Sequence, residues 1–188
     1  MKIAILGWGS LVWNPKSLQY NTNCGWQKDG PMLPLEFSRI SKDFRLTIVL
    51  EPTAQLVQSL YAISTNTTME EAILNLAVRE GSARNAIGYF GKSNNKSHPE
   101  SFKYIENIKE WLAIHPEIEA VIWTNLNANW KEAGRLKSKK QDRIEHLKAL
   151  DGPTKAIAEE YIRKTPIQIA TNFRKEIEKE LKWYPIEL

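Results

Sequence analysis

Two short segments of this sequence contain residue types that could bind and transform a small molecule. The first, residues 7–11, follows an apolar run and places two glycines around one tryptophan. Glycine lets the backbone turn tightly and approach a ligand closely, and N–H groups left free by such a turn can hold an anion or a carbonyl oxygen. A simple turn leaving a strand is the alternative. The predicted ligand-binding residues are Gly7, Trp8, Gly9, Ser10 and Leu11.

The segment does not fit three common glycine motifs. Val12 stands where a dinucleotide-binding fingerprint needs its third glycine, and the segment lacks the Gly-Lys-Ser/Thr of a phosphate-binding loop. Val12 also stands two residues after Ser10, where the nucleophile elbow of a serine hydrolase needs glycine. These three functions are therefore disfavoured.

The second segment is the end of a predicted helix at Glu80. Apolar residues at helical spacing predict a helix from about Thr68 to Gly81; they are Met69, Ala72, Ile73, Leu76 and Ala77. One further step reaches Glu80, so we expect its carboxylate to be partly buried. Burial and the negative end of the helix dipole both disfavour the ionised form, which suits a group that accepts and returns a proton near neutral pH. An exposed Glu80, or one paired with Arg79 or Arg84, is the alternative.

The order of these two segments is shared with a known family. Residues 6–15 read Leu-Gly-Trp-Gly-Ser-Leu-Val-Trp-Asn-Pro, and Glu80-Gly81 and Tyr89 follow. They resemble the glycine-rich opening, the catalytic Glu-Gly and the downstream aromatic residue of the gamma-glutamylcyclotransferase-like superfamily, especially its ChaC-type branch that degrades glutathione. Trp8 stands at the position of a tyrosine in that opening. The resemblance covers about the first half of the chain.

The resemblance implies both a fold and a reaction. The fold would be a small mixed β-barrel or sheet flanked by helices, in which the backbone at Gly9, Ser10 and Leu11 holds polar groups of the substrate. Glu80 would act as general acid and base while a small γ-glutamyl amine or peptide cyclises to 5-oxoproline, with no cofactor or metal. A non-catalytic module on the same fold, which binds a small molecule for regulation, is the alternative.

Three further residues are weaker candidates for substrate binding. Arg39 and Arg45 lie in or beside predicted strands, and a guanidinium matches the geometry of a substrate carboxylate. Either arginine could equally be an ordinary surface residue. The resemblance implies that the third candidate, Tyr89, is the downstream aromatic residue of the site.

The elements that position these residues follow an α+β order. Strands are predicted first, at residues 2–6, 35–40, 44–50 and 60–64, and short strands at 87–90 and 120–124 lie between helices. Helices are predicted at 68–80 and near 102–112, and a helical part begins at about residue 137. Strands mainly before helices favour a mixed or antiparallel sheet in one domain spanning residues 1–188.

Composition and charge limit the possible partners. The 188 residues are 42% hydrophobic and 26% charged, which is typical of a globular domain. The net charge of +4 comes from residues 137–182, where 12 Lys and Arg face 8 Asp and Glu. The basic cluster there, Lys137, Lys139, Lys140 and Arg143, is more typical of a solvated helix face than of a nucleic-acid site. We therefore expect a cytoplasmic protein without nucleic-acid or membrane partners.

Overall fold

The computed structural model describes residues 1–139 and 141–187, and the chain in it divides into two compact units. Unit 1 contains Met1–Gly7, Asn14–Leu33 and Gln58–Leu126. Unit 2 contains Trp8–Trp13, Pro34–Val57 and the described residues from Asn127 onward. The chain passes between the units several times without a long linker. Lys140, one of the four predicted basic-cluster residues, lies outside the described residues.

The described residues form eight strands and six α-helices. The strands are β1 Ile3–Gly7, β2 Met32–Ile40, β3 Leu46–Leu50, β4 Leu56–Gln58, β5 Leu60–Ile63, β6 Ile87–Gly91, β7 Lys96–His98 and β8 Ala120–Thr124. The helices are α1 Ser10–Trp13, α2 Met69–Glu80, α3 Ile105–Ile114, α4 Arg143–Lys148, α5 Gly152–Lys164 and α6 Asn172–Leu181. A short 3-10 turn, Arg84–Ala86, precedes β6.

Unit 1 is built on a five-stranded mixed sheet with the order β5-β1-β8-β6-β7. β1 pairs antiparallel with β5 and parallel with β8, so that Ile5 lies between Ala62 and Ile122. β6 is antiparallel to both β8 and β7. All five residues of β1 are buried, which explains why its sequence is a continuous apolar run and not an alternating pattern.

Helix α2 of unit 1 packs against β8 and β6 and has the ends that its sequence predicts. Thr68 accepts a hydrogen bond from the Glu71 N–H, and the Glu71 carboxylate accepts one from the Thr68 N–H, which completes a capping box. At the other end Gly81 adopts a left-handed conformation with φ 61°. Its N–H and that of Ser82 bond the carbonyls of the last turn. The predicted helix is confirmed.

Unit 2 contains a three-stranded sheet with the order β3-β2-β4 and four helices among its described residues. β2 and β3 form the predicted antiparallel hairpin, with Leu35 opposite Leu50. Helix α5 packs against β3 and against the short helix α1, and α4 packs against α6. The buried face of α5 carries Ala158, Tyr161 and Ile162.

The α+β class is confirmed, and the strands decide between the two expected arrangements, a barrel or a sheet. The described strands form two separate sheets and no closed barrel. The first described helix of the C-terminal part is α4, which begins at Arg143 after the capping residue Asp142. In the ranges 1–139 and 141–187, no helix is long and apolar enough to cross a membrane.

Candidate functional site

Glu80 is the last residue of α2, where the helix turns into the left-handed Gly81. Its side chain is 17% exposed, so the carboxylate is neither free in solvent nor fully buried. The periodicity of α2 predicts this intermediate position. A carboxylate at the negative end of a helix dipole is unfavourable by itself, so a partner is expected nearby.

That partner is Arg79, the preceding residue. Its Nη1 lies 2.7 Å from Oε1 of Glu80, and its Nη2 donates a hydrogen bond of 2.7 Å to the backbone carbonyl of Asn14. The Arg79 side chain is only 5% exposed, so this guanidinium is more buried than the carboxylate that it contacts. The positive charge offsets part of the cost of placing a carboxylate at this end of the helix. The structure therefore shows one of the two pairings that the sequence leaves as alternatives, the one between Glu80 and Arg79.

The two other predicted site residues in unit 1 lie in strands. Gly7 is the buried last residue of β1 and is paired with Leu60. Tyr89 is a half-buried residue of β6, and its ring stacks on that of His98 with the centroids 5.8 Å apart. The His98 ring in turn contacts the carbonyl of Asn85 through Nε2 at 3.0 Å.

Residues 8–11 of the glycine segment belong to unit 2, together with Val12 and Trp13. Trp8 and Leu11 are each only 5% exposed, and Ser10 begins the one-turn helix α1. The Val12 N–H donates to the Gly9 carbonyl at 3.0 Å, which closes the turn. The role of this segment in substrate binding stays a prediction.

Tyr161 of α5 occupies the space that a side chain at residue 9 would need. A Cβ built on Gly9 collides with the Tyr161 hydroxyl and comes within 3.2 Å of the Ile48 side chain. The same hydroxyl accepts a hydrogen bond of 3.3 Å from the Ile48 N–H. The Trp13 ring meets the Tyr161 ring edge to face, with 6.3 Å between centroids. Gly9 is therefore required for packing inside unit 2.

Arg39 and Arg45 contact different parts of unit 2. Arg45 lies over the Tyr161 ring, 5.6 Å from its centroid, and pairs with Asp43 at 2.8 Å. The half-buried Arg39 donates a hydrogen bond of 2.6 Å to the Asn127 carbonyl. Burial, with a smaller effect of the nearby Arg135, lowers the pKa of Arg39 from its ordinary value. The structure thus brings Gly9 and Arg45 to the same tyrosine and places Arg39 at another contact.

Two cations of the predicted basic cluster pack on aromatic rings. The Lys137 ammonium lies 3.7 Å from the centroid of the Phe44 ring. The half-buried Arg143 lies 3.7 Å from that of Phe173 and donates a hydrogen bond of 2.6 Å to the Phe37 carbonyl. Burial lowers the pKa of this guanidinium. These two side chains therefore contribute to the packing of unit 2.

Two residues that the structure places at the candidate sites are not predicted as site residues by the sequence. Tyr161 was predicted only as a helix residue, and its position beside Gly9 depends on tertiary packing across 152 residues of chain. The sequence indicates Arg79 only as a possible partner of Glu80. The stripe through Ala72 and Leu76 reaches position 79 as well as position 80, so it leaves open which of these two residues is the more buried.

Comparisons with known proteins were made against family models, curated proteins and solved structures. None of these matches the chain. Among the described residues, no group of three or more His, Cys, Asp or Glu side chains is placed to hold a metal ion.

Proposed function

We propose that this protein is a gamma-glutamylcyclotransferase-like enzyme in which Glu80 is the general acid and base. The observation that supports the proposal most directly is the position of Glu80. It ends a helix that is fixed at both termini, and its carboxylate is partly exposed. The resemblance of residues 6–15, Glu80-Gly81 and Tyr89 to the superfamily supports the choice of reaction.

The proposed reaction forms one C–N bond and breaks another. The neutral α-amino nitrogen of a γ-glutamyl compound attacks its own γ-carbonyl carbon and closes a five-membered ring. Glu80 takes a proton from the attacking nitrogen and returns it to the nitrogen of the leaving amine, so the products are 5-oxoproline and a free amine. Because the attack is intramolecular, holding the glutamyl chain folded removes much of the entropic barrier.

The first experiment measures whether this reaction occurs. The purified protein is incubated with a panel of γ-glutamyl amines and peptides in water enriched in oxygen-18, and the products are analysed by mass spectrometry. We expect equal amounts of 5-oxoproline and amine, without oxygen-18 in the ring product, because the cyclisation consumes no water. Labelled glutamate would indicate hydrolysis and contradict the proposal.

The second experiment tests the assigned residue. Glu80→Gln keeps the shape of the side chain but cannot exchange the proton, so we expect turnover to fall about 10²- to 10⁴-fold. Glu70→Gln is the matched control, because Glu70 is an exposed residue in the first turn of the same helix. Full turnover by Glu80→Gln would exclude the assigned role. Tight binding of a γ-glutamyl compound without any turnover would instead favour the non-catalytic binding module.

A further inference from the structure

We propose that Arg79 is the positioning residue for Glu80 and that it determines which carboxylate oxygen exchanges the proton. This inference rests on the proposed function, because it assigns a task to a residue next to the proposed acid and base. Arg79 uses separate nitrogens for two contacts, Nη1 for Oε1 of Glu80 and Nη2 for the carbonyl of Asn14. Asn14 lies 65 residues earlier in the chain, so the guanidinium connects the end of α2 to a distant backbone segment of unit 1.

This connection restricts the movement of the Glu80 side chain at the end of α2. The Gly81 cap fixes the backbone at the end of α2 but does not fix the side chain of Glu80. Catalysis needs a proton-transferring group held within hydrogen-bond reach of the reacting atom. The planar guanidinium is rigid, and its two contacts fix the carboxylate relative to the Asn14 backbone. Since Nη1 engages Oε1, the proton is expected to be transferred at Oε2.

The burial of residue 79 and its two acceptors favour arginine over lysine at this position. The Arg79 side chain is almost excluded from solvent, and a buried cation is costly unless it is paired and hydrogen-bonded. Lysine could supply the charge beside Glu80, but a single ammonium does not reproduce the forked geometry that reaches two acceptors in different directions. A purely electrostatic role would tolerate lysine, whereas a positioning role would not.

The kinetic test therefore compares Arg79→Lys with Arg79→Gln. Both changes leave the substrate-contacting groups in place, so we expect kcat to fall and KM to change little. Loss of precise positioning can cost about 10²-fold in rate, which is the decrease expected for Arg79→Gln, and Arg79→Lys should recover only part of it. Arg84→Gln is the matched control, since it removes an exposed cation from the turn that follows α2. Full recovery of kcat in Arg79→Lys would overturn the positioning role.

A second measurement does not depend on turnover. In protein labelled with nitrogen-15 at arginine, the hydrogens on the Arg79 Nη atoms should exchange slowly with solvent, because both atoms are hydrogen-bonded and buried. Glu80→Ala removes one acceptor and keeps Arg79, so we expect at least about tenfold faster exchange, as for the loss of one hydrogen bond of about 1.4 kcal/mol. Unchanged exchange would overturn the bridge. If no γ-glutamyl compound is converted but exchange accelerates, the proposed function fails and the structural bridge stands.

Discussion

At the scale of single residues, Tyr161 explains why residue 9 is a glycine. The hydroxyl of Tyr161 lies where a side chain at residue 9 would extend, and it also accepts the Ile48 N–H. A glycine in a predicted binding turn is usually explained by the approach of a ligand. Here the approach of a neighbouring side chain within unit 2 gives a sufficient reason for glycine.

This contact predicts the effect of Gly9→Ala. The added methyl group must displace Tyr161 or Ile48, and overpacking of a well-packed core typically costs about 1–3 kcal/mol. We expect the free energy of unfolding in urea to fall by that amount in the wild-type background. In the Tyr161→Phe background the oxygen is absent, so the penalty for Gly9→Ala should be smaller.

The control for losing a tyrosine hydroxyl is Tyr184→Phe, because Tyr184 is 53% exposed. Combining it with Gly9→Ala should leave the penalty of Gly9→Ala unchanged, since distant sites behave additively. An equal penalty in the Tyr161→Phe and wild-type backgrounds would show that the hydroxyl is not the obstacle.

The sequence predicted the region of the candidate acid and base but not its buried neighbour. Successive residues on a helix are separated by about 100°, so the apolar stripe of α2 does not distinguish sharply between positions 79 and 80 at its edge. Continuing that stripe predicts burial of Glu80, whereas Arg79 is the more buried of the two. Burial of Arg79 depends on acceptors that folding brings to it, and the Asn14 carbonyl cannot be inferred from spacing.

At the scale of elements, the end of α2 depends on the left-handed conformation of Gly81. The space around its Cα is open, since a Cβ there would meet no atom within 4 Å. The cost of any side chain at this position therefore comes from backbone conformation and not from a clash. At Gly9, in contrast, the cost of a side chain comes from a clash with Tyr161 and not from backbone conformation.

We predict that Gly81→Ala lowers the free energy of unfolding by about 1–2 kcal/mol, the usual cost of a left-handed conformation for an L-residue. Gly81→Asn is the matched control, because asparagine adopts this conformation more readily, and it should cost less. Urea unfolding followed by circular dichroism measures both. Equal stability of the two variants would show that the left-handed conformation of residue 81 does not determine the cost of the substitution.

Two of the predicted elements have especially strong local signals. Helix α2 has a capping box and a glycine at its end, and the β2–β3 hairpin has a short turn between apolar strands. The strands β4 and β7 and the helix α1 have only three or four residues each, which is too short for a periodic pattern. The parallel pairing of β1 with β8 joins residues more than 100 positions apart, and no local pattern encodes it.

At the scale of the whole molecule, composition and element order were sufficient for the α+β class, but not for the division into two units. Each unit is assembled from three separate stretches, and the segment that begins at Gly7 contributes to both. No Pro-rich or Gly-rich linker marks the crossings. A division of this kind depends on which segments pack together, and linear composition does not report that.

One buried group links the stability of the molecule to pH. His146 of α4 is fully buried, and its Nδ1 accepts a hydrogen bond of 2.9 Å from the Lys137 N–H. Its Nε2 lies 2.9 Å from the Phe44 carbonyl. Since a backbone N–H only donates and a carbonyl only accepts, the ring must be neutral with its hydrogen on Nε2. A second proton would place an N–H at Nδ1 against the N–H of Lys137.

The expected sign of the pH dependence follows from this environment. Burial lowers the pKa of His146 below its ordinary value of 6.5; the bond to the Phe44 carbonyl opposes this effect, and the positive charge of Lys137 adds to it. The unfolded chain therefore binds more protons than the folded chain between the two pKa values. The stabilisation is complete above about pH 6.5 and is lost as the pH falls through this window.

His146→Gln removes the titration and keeps one donor and one acceptor on the side chain. We therefore predict that the unfolding free energy of the wild type decreases more steeply than that of His146→Gln as the pH falls from 8 towards 5. One proton contributes at most about 1.4 kcal/mol per pH unit to this difference in slope.

Other titrating groups act equally in both proteins, so subtracting the two curves, aligned at pH 8, isolates the contribution of His146. Parallel curves over this range would mean that the imidazole is already free to accept its second proton in the folded state, and the assigned neutral ring would then be wrong.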